Sequence, residues 1–153
     1  MNTGTQTSLA GLLLASQPGF DTLVPRLAAG VIFAAHGAQK LFGWFGGYGL
    51  EGTAGWMASI GLEPAYLMTV LAGSAEFFGG LLLILGLLVR PAALVLAVTM
   101  VVAIVTVHLE HGLFLSNNGY EFGLALLAIS VGLLLRGAGS ASADQWLLAR
   151  QTR

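Results

Sequence analysis

At 153 residues the chain is sized for one domain, and its composition excludes an ordinary water-soluble one. Hydrophobic residues make up 56 % of it and charged residues 8 %, whereas a soluble domain carries about a quarter charged residues. A net charge of −1 without a basic cluster argues against nucleic acid, and zero cysteines rule out disulfides, thiolate metal ligands and Fe–S ligation.

Taken in chain order, residues 1–22 read as a tail containing a short apolar stretch, Leu9 to Ala15. It lacks the positive flank of a secretory signal and is too short to span, so an interfacial helix on the cytoplasmic side is expected there. Four long apolar segments follow, at about 23–42, 65–89, 92–109 and 118–136, with Arg90-Pro91 as the expected break between the second and third. The apolar run of the last segment, Phe122 to Leu135, would extend only roughly 21 Å as a helix. To cross a bilayer that helix has to begin near Asn117 or Asn118, which carries Glu121 below the membrane surface. Residues 137–153 form a second tail, in which Ala143 to Arg150 is expected to be a short amphipathic helix.

Lipid offers no partner for exposed backbone groups, so each apolar segment must be helical. Gly73, Gly79, Gly80 and Gly86 in the second segment suit close helix packing. Of the 6 basic residues, Arg26, Arg90, Arg136, Arg150 and Arg153 fall on one side of such a bundle and Lys40 on the other. That bias predicts an all-α, integral membrane four-helix bundle over residues 23–136 with both termini cytoplasmic and short interfacial helices at each end. The glycine-rich stretch from Gly43 to Gly49 lacks the Lys-Ser/Thr ending of a phosphate loop. Trp44, Tyr48, Trp56 and Tyr66 suit an aromatic belt at the outer interface.

Ionisable groups inside spans are costly and therefore informative. His36 and Lys40 stand one turn apart in the first segment beside Gln39. Glu76 lies about midway along the second, His108 ends the third, and Glu121 opens the fourth. All of these fall in the outer half of the bundle, together with His111, whereas the inner half holds Arg26, whose long side chain can reach the cytoplasmic surface. One polar cavity lined by His36, Lys40, Glu76, His108 and Glu121 is the expectation, with Glu76 either ion-paired or protonated. Plainer readings stand beside it: Glu76 pairs with Lys40 only to lock packing, Lys40 snorkels, and His108 and His111 are boundary residues. His108-x-x-His111 is a weak metal signal, no Glu-x-x-His pair lies within a segment, and no metal is expected. No serine or threonine sits in a nucleophile motif.

From about Arg26 to Trp146 the chain resembles the DoxX family of small bacterial membrane proteins. The resemblance rests on Arg26 with His36-Gly37-x-x-Lys40-Leu41-Phe42-Gly43, then Glu76-x-x-Gly79-Gly80 and Leu85-Gly86-Leu87. It continues through Arg90-Pro91-Ala92-Ala93 and Gly137-x-Gly139-x-x-Ser142-x-Asp144. It implies a multi-pass protein of the bacterial inner membrane, in a family where some members are subunits of quinone-linked oxidoreductases. By that analogy the chain is at most a membrane subunit of an oxidoreductase complex, with quinone as the suggested cofactor. His36 and Glu76 would then carry protons, and Lys40, His108, Glu121 and Gln39 would bind substrate. Lipid and redox proteins are the partners it suggests, and self-association stays open. Two alternatives remain: a non-catalytic scaffold or assembly factor contacting enzymes through the C-terminal tail, and a small-solute transporter with Glu76 as coupling group.

Overall fold

A computed structural model describes residues 13–151, and among them every regular element is helical. The elements are α1 (Leu23–Phe42), α2 (Gly49–Ser59), α3 (Ala65–Leu85), α4 (Val89–Ala103), α5 (Glu121–Arg136) and α6 (Ala143–Gln151). The expected N-terminal interfacial helix lies largely outside the described residues.

Local chemistry sets the boundaries. Pro25 stands in the first turn of α1, where its missing N–H costs nothing, and Gly43 ends that helix in the left-handed region at φ 71°. Gly86 ends α3 in the same way: its N–H donates to Leu83 O, and the Leu87 N–H reaches back to Leu82 O. The break between the second and third apolar segments is therefore at Gly86–Leu88, and Arg90-Pro91 belongs to the first turn of α4. Proline is tolerated in a first turn, so it marks a helix start here instead of a stop. Beyond Ala103 the α4 ladder loosens into a π turn, Ile104–His108, and tightens into a 3-10 turn, Leu109–His111. The fourth apolar helix starts at Glu121 and not near Asn118, because Asn118 is left-handed at φ 62° and interrupts the ladder. Glu121 is therefore the first residue of α5, and its carboxylate accepts a bond from the Leu115 N–H. Between the first two long apolar segments the chain forms the additional helix α2.

Packing follows residue size. Helices α1 and α3 touch backbone to backbone: a Cβ on Gly37 would lie 2.3 Å from Phe77 N, and one on Gly80 would lie 2.5 Å from Ala34 N. Helix α4 packs on α3 and α5, with Phe33, Leu83, Leu96, Met100, Leu126 and Leu133 in the common core. Around it Val24, Val31, Phe78 and Leu135 point outward, all more than half exposed. Two helical stretches, Ala65–Leu85 and Val89–His111, are long and apolar enough to cross a membrane, with mean hydropathies of 1.8 and 2.5. Only 33 % and 28 % of them are buried inside the chain, so most of their apolar surface faces outward. That is the reverse of the core helix of a soluble domain.

The base of the molecule is fastened by its C-terminal segment. Arg26 does not extend to a surface; it is 2 % exposed and donates to Ala138 O at 2.7 Å and Ala141 O at 2.8 Å. Asp144 is equally buried, and its carboxylate accepts the Leu88 and Val89 N–H groups at 2.7 and 3.1 Å, which caps α4. Its own N–H donates to Gly86 O. Burial pushes the Asp144 carboxyl above the ordinary carboxylate range, against the pull of the two amides and Arg26. The glycine at 86 is required by this contact, because a Cβ there would lie 2.4 Å from the Arg26 guanidinium.

Candidate functional site

At the opposite end from this clasp, α1 carries His36 and Lys40 one turn apart, and Lys40 meets Glu76 of α3. Glu76 is 4 % exposed, and its Oε2 lies 2.5 Å from Lys40 Nζ. A buried carboxylate needs such a counter-charge, since its desolvation is repaid only by a close, well-oriented cation. The lysine side chain keeps 24 % of its surface accessible, so the pair has one dry member and one half-wet one.

The pair forms part of the wall of a cavity of about 790 Å³ bounded by all of α1 to α5 and the chain between α4 and α5. His36, Lys40, Glu76 and His108 all line it. His36 sits against Phe122 with ring centroids 6.1 Å apart. His108 is held by its Nδ1 at 2.8 Å from Asn118 O. The remaining lining is overwhelmingly apolar, with Phe33, Leu71, Val98, Met100 and Leu126 among the contributors. The expected polar cavity is thus an apolar one with a small polar cluster.

Glu121 does not line the cavity; its Oε1 is occupied at 2.6 Å by the Leu115 N–H and pins the loop ahead of α5. Gln39 also faces away from it, donating to Phe45 O at 3.3 Å. His111 stands apart as well, 3.9 Å from Glu110 at the surface. Among the described residues no three His, Asp or Glu side chains converge as metal ligands. Trp56 of α2 and the π turn lie on the cavity wall, and the sequence pattern pointed to neither as site-forming. A π turn leaves no signature in residue periodicity, yet such turns are frequent at functional sites.

A DoxX family model matches residues 22–109. The chain belongs to the DoxX family. It is also 36 % identical over 126 residues, covering 82 % of this chain and 86 % of the relative, to a Bacillus subtilis (strain 168) protein named "Putative oxidoreductase CatD". No solved structure matches it significantly. The DoxX match runs through α1, α3 and α4, and so contains His36, Lys40, Glu76, His108 and the Arg26 anchor. DoxX proteins are membrane-associated, in keeping with the outward-facing apolar surface of α3 and α4. Within this DoxX chain the residues that carried the resemblance divide into two sets. Arg26, Gly86, Ser142 and Asp144 build the basal clasp, whereas His36, Lys40 and Glu76 build the cavity wall.

Proposed function

We propose that this chain is a multi-pass protein of the bacterial inner membrane, a four-helix bundle with both termini cytoplasmic, acting as the membrane subunit of a quinone-linked redox system. The uneven placement of its 6 basic residues supports the orientation. Helix α5, at 16 residues, reaches about 24 Å, so it would cross with local thinning of the bilayer or with help from its flanking turns.

The Lys40–Glu76 pair in the wall of an otherwise apolar cavity carries the reading. A quinone is an apolar ring with hydrogen-bonding oxygens and an apolar tail, and it reaches such a cavity through lipid. The lining residues fit it: Val98, Met100 and Leu126 offer contacts for the ring and tail, and Lys40 offers a donor to a ring oxygen. A bound quinone supplies a two-electron acceptor that takes up protons on reduction, with electrons delivered by a redox partner protein. Glu76 can hold a proton at its carboxyl and His36 at its imidazole, and Lys40 offsets the charge on Glu76 as the proton moves. The relative's name, with its reference to oxidoreductase activity, points the same way.

The test is extraction in mild detergent followed by mass spectrometry of the lipid-soluble molecules retained. Near-stoichiometric quinone in the parent protein, reduced at least tenfold in Ala75→Phe, which narrows the cavity, is the expected result. Failure to retain or take up added quinone, with the fold intact, overturns the reading. A soluble enzyme copurifying without any ligand would point to a scaffold instead.

A further inference from the structure

A second hollow of about 430 Å³ lies beside the first, lined by Gln39, Lys40, Gly47, Thr53 and Trp56 among others. Lys40 and Trp56 line both hollows, whereas Glu76 lines only the large one. The two therefore meet at the ion pair, with Lys40 reached from both hollows and Glu76 from the apolar cavity alone. The small hollow is formed where α1 ends and α2 begins, at the end of the molecule carrying the exposed aromatics Trp44 and Tyr48. Its rim is glycine-rich, and a side chain at Gly47 would collide with Gln39 backbone at 2.5 Å, so the chain stays thin there. The partial exposure of Lys40 beside an almost fully buried Glu76 gives the same polarity across the pair.

We propose that the small hollow is an aqueous inlet, admitting water and protons to Lys40 from the membrane surface while Glu76 faces a ligand in the apolar cavity. Lys40 is then the point of proton exchange between bulk water and the cavity. The charged or titratable groups around it are Glu76 from α3, His36 from its own helix and Tyr48 ahead of α2, with His108 farther along the cavity wall; α2 contributes Thr53 and Trp56, which are uncharged. Water has to reach an ammonium held this close to a carboxylate if either is to exchange protons, and the small hollow has the more polar lining of the two. The identity of the ligand does not enter into this inlet, so it stands or falls separately from the quinone reading.

The chain contains no cysteine, so single thiols can be introduced without background. Lys40→Cys is made together with Glu76→Gln, so that no unpaired carboxylate threatens folding. The protein is reconstituted in sealed vesicles and exposed to a membrane-impermeant quaternary-ammonium methanethiosulfonate. Modification is expected, and it should slow at least tenfold when Thr53→Trp fills the small hollow. Val98→Cys, on the wall of the large cavity, should react with lipid-soluble N-ethylmaleimide and not with the charged reagent. Failure of the charged reagent to modify position 40 overturns the inlet, provided Tyr48→Cys at the same surface reacts. Modification that is equally fast with Thr53→Trp in place also overturns it, because the reagent would then be arriving by another route.

Discussion

Lys40 Nζ lies 2.5 Å from Glu76 Oε2, joining α1 to α3 at the edge of two hollows. Removing one partner strands the other. Glu76→Leu is expected to destabilise the protein by about 1–3 kcal/mol, less than a fully buried pair because Lys40 can turn toward water. The double variant Lys40→Met/Glu76→Leu should recover most of that loss and still fail to bind ligand. Thermal unfolding in detergent, read beside ligand retention, checks both halves. Recovery of binding in the double variant would reduce the pair to a packing device.

Asp144 caps α4 from a segment far away in sequence. Asp144→Ala leaves the Leu88 and Val89 N–H groups short of acceptors and removes the negative charge near the Arg26 guanidinium, at an expected cost of about 2–4 kcal/mol. Asp144→Asn retains one acceptor and should lose roughly half as much. Differential scanning calorimetry in detergent gives the comparison.

The same carboxyl predicts a pH effect. Its folded value is raised above the ordinary 3.8, so the folded state binds this proton more tightly than the unfolded chain does. Its contribution to stability therefore falls as pH rises from about 3.8 through the folded value, and is flat above it. Melting curves across that window should show the slope in the parent protein and lose it in Asp144→Asn.

Helix α1 can approach α3 because neither has a side chain at the crossing. Gly37→Ala places a carbon against Phe77 N and Gly73 O and should cost about 1–3 kcal/mol by forcing the helices apart. Gly132→Ala, where a Cβ meets nothing within 4 Å, is the matched control and should change stability by no more than about 1 kcal/mol. Equal effects from the two would refute the close-packing account.

Much of this was legible in the chain. Leu23–Phe42 is the helix its apolar run predicts, and the grouping of His36, Lys40, Glu76 and His108 follows from counting residues along alternating helices. Other features were hidden for identifiable reasons. Residue type alone made Arg26 a snorkelling residue, because its true partners are backbone carbonyls at 138 and 141, which leave no mark in the sequence. Glu121 looked like a cavity residue by height alone, but height does not give rotation, and its carboxylate is turned to a loop amide. Helix α2 escaped notice because its glycines and short length hide any periodic face, and it holds its place by resting Met57 and Thr53 on the bundle. The start of α4 was misplaced because Pro91 reads as a breaker unless the cap from Asp144 is known.

The clasp at the base also has a temporal meaning. Arg26 is made early, and the carbonyls that receive its guanidinium belong to Ala138 and Ala141, which follow every long helix in chain order. Until those are made an arginine sits at the foot of α1 with its partners missing. A chain ending before residue 138 would therefore lack both the acceptors of Arg26 and the carboxylate that caps α4.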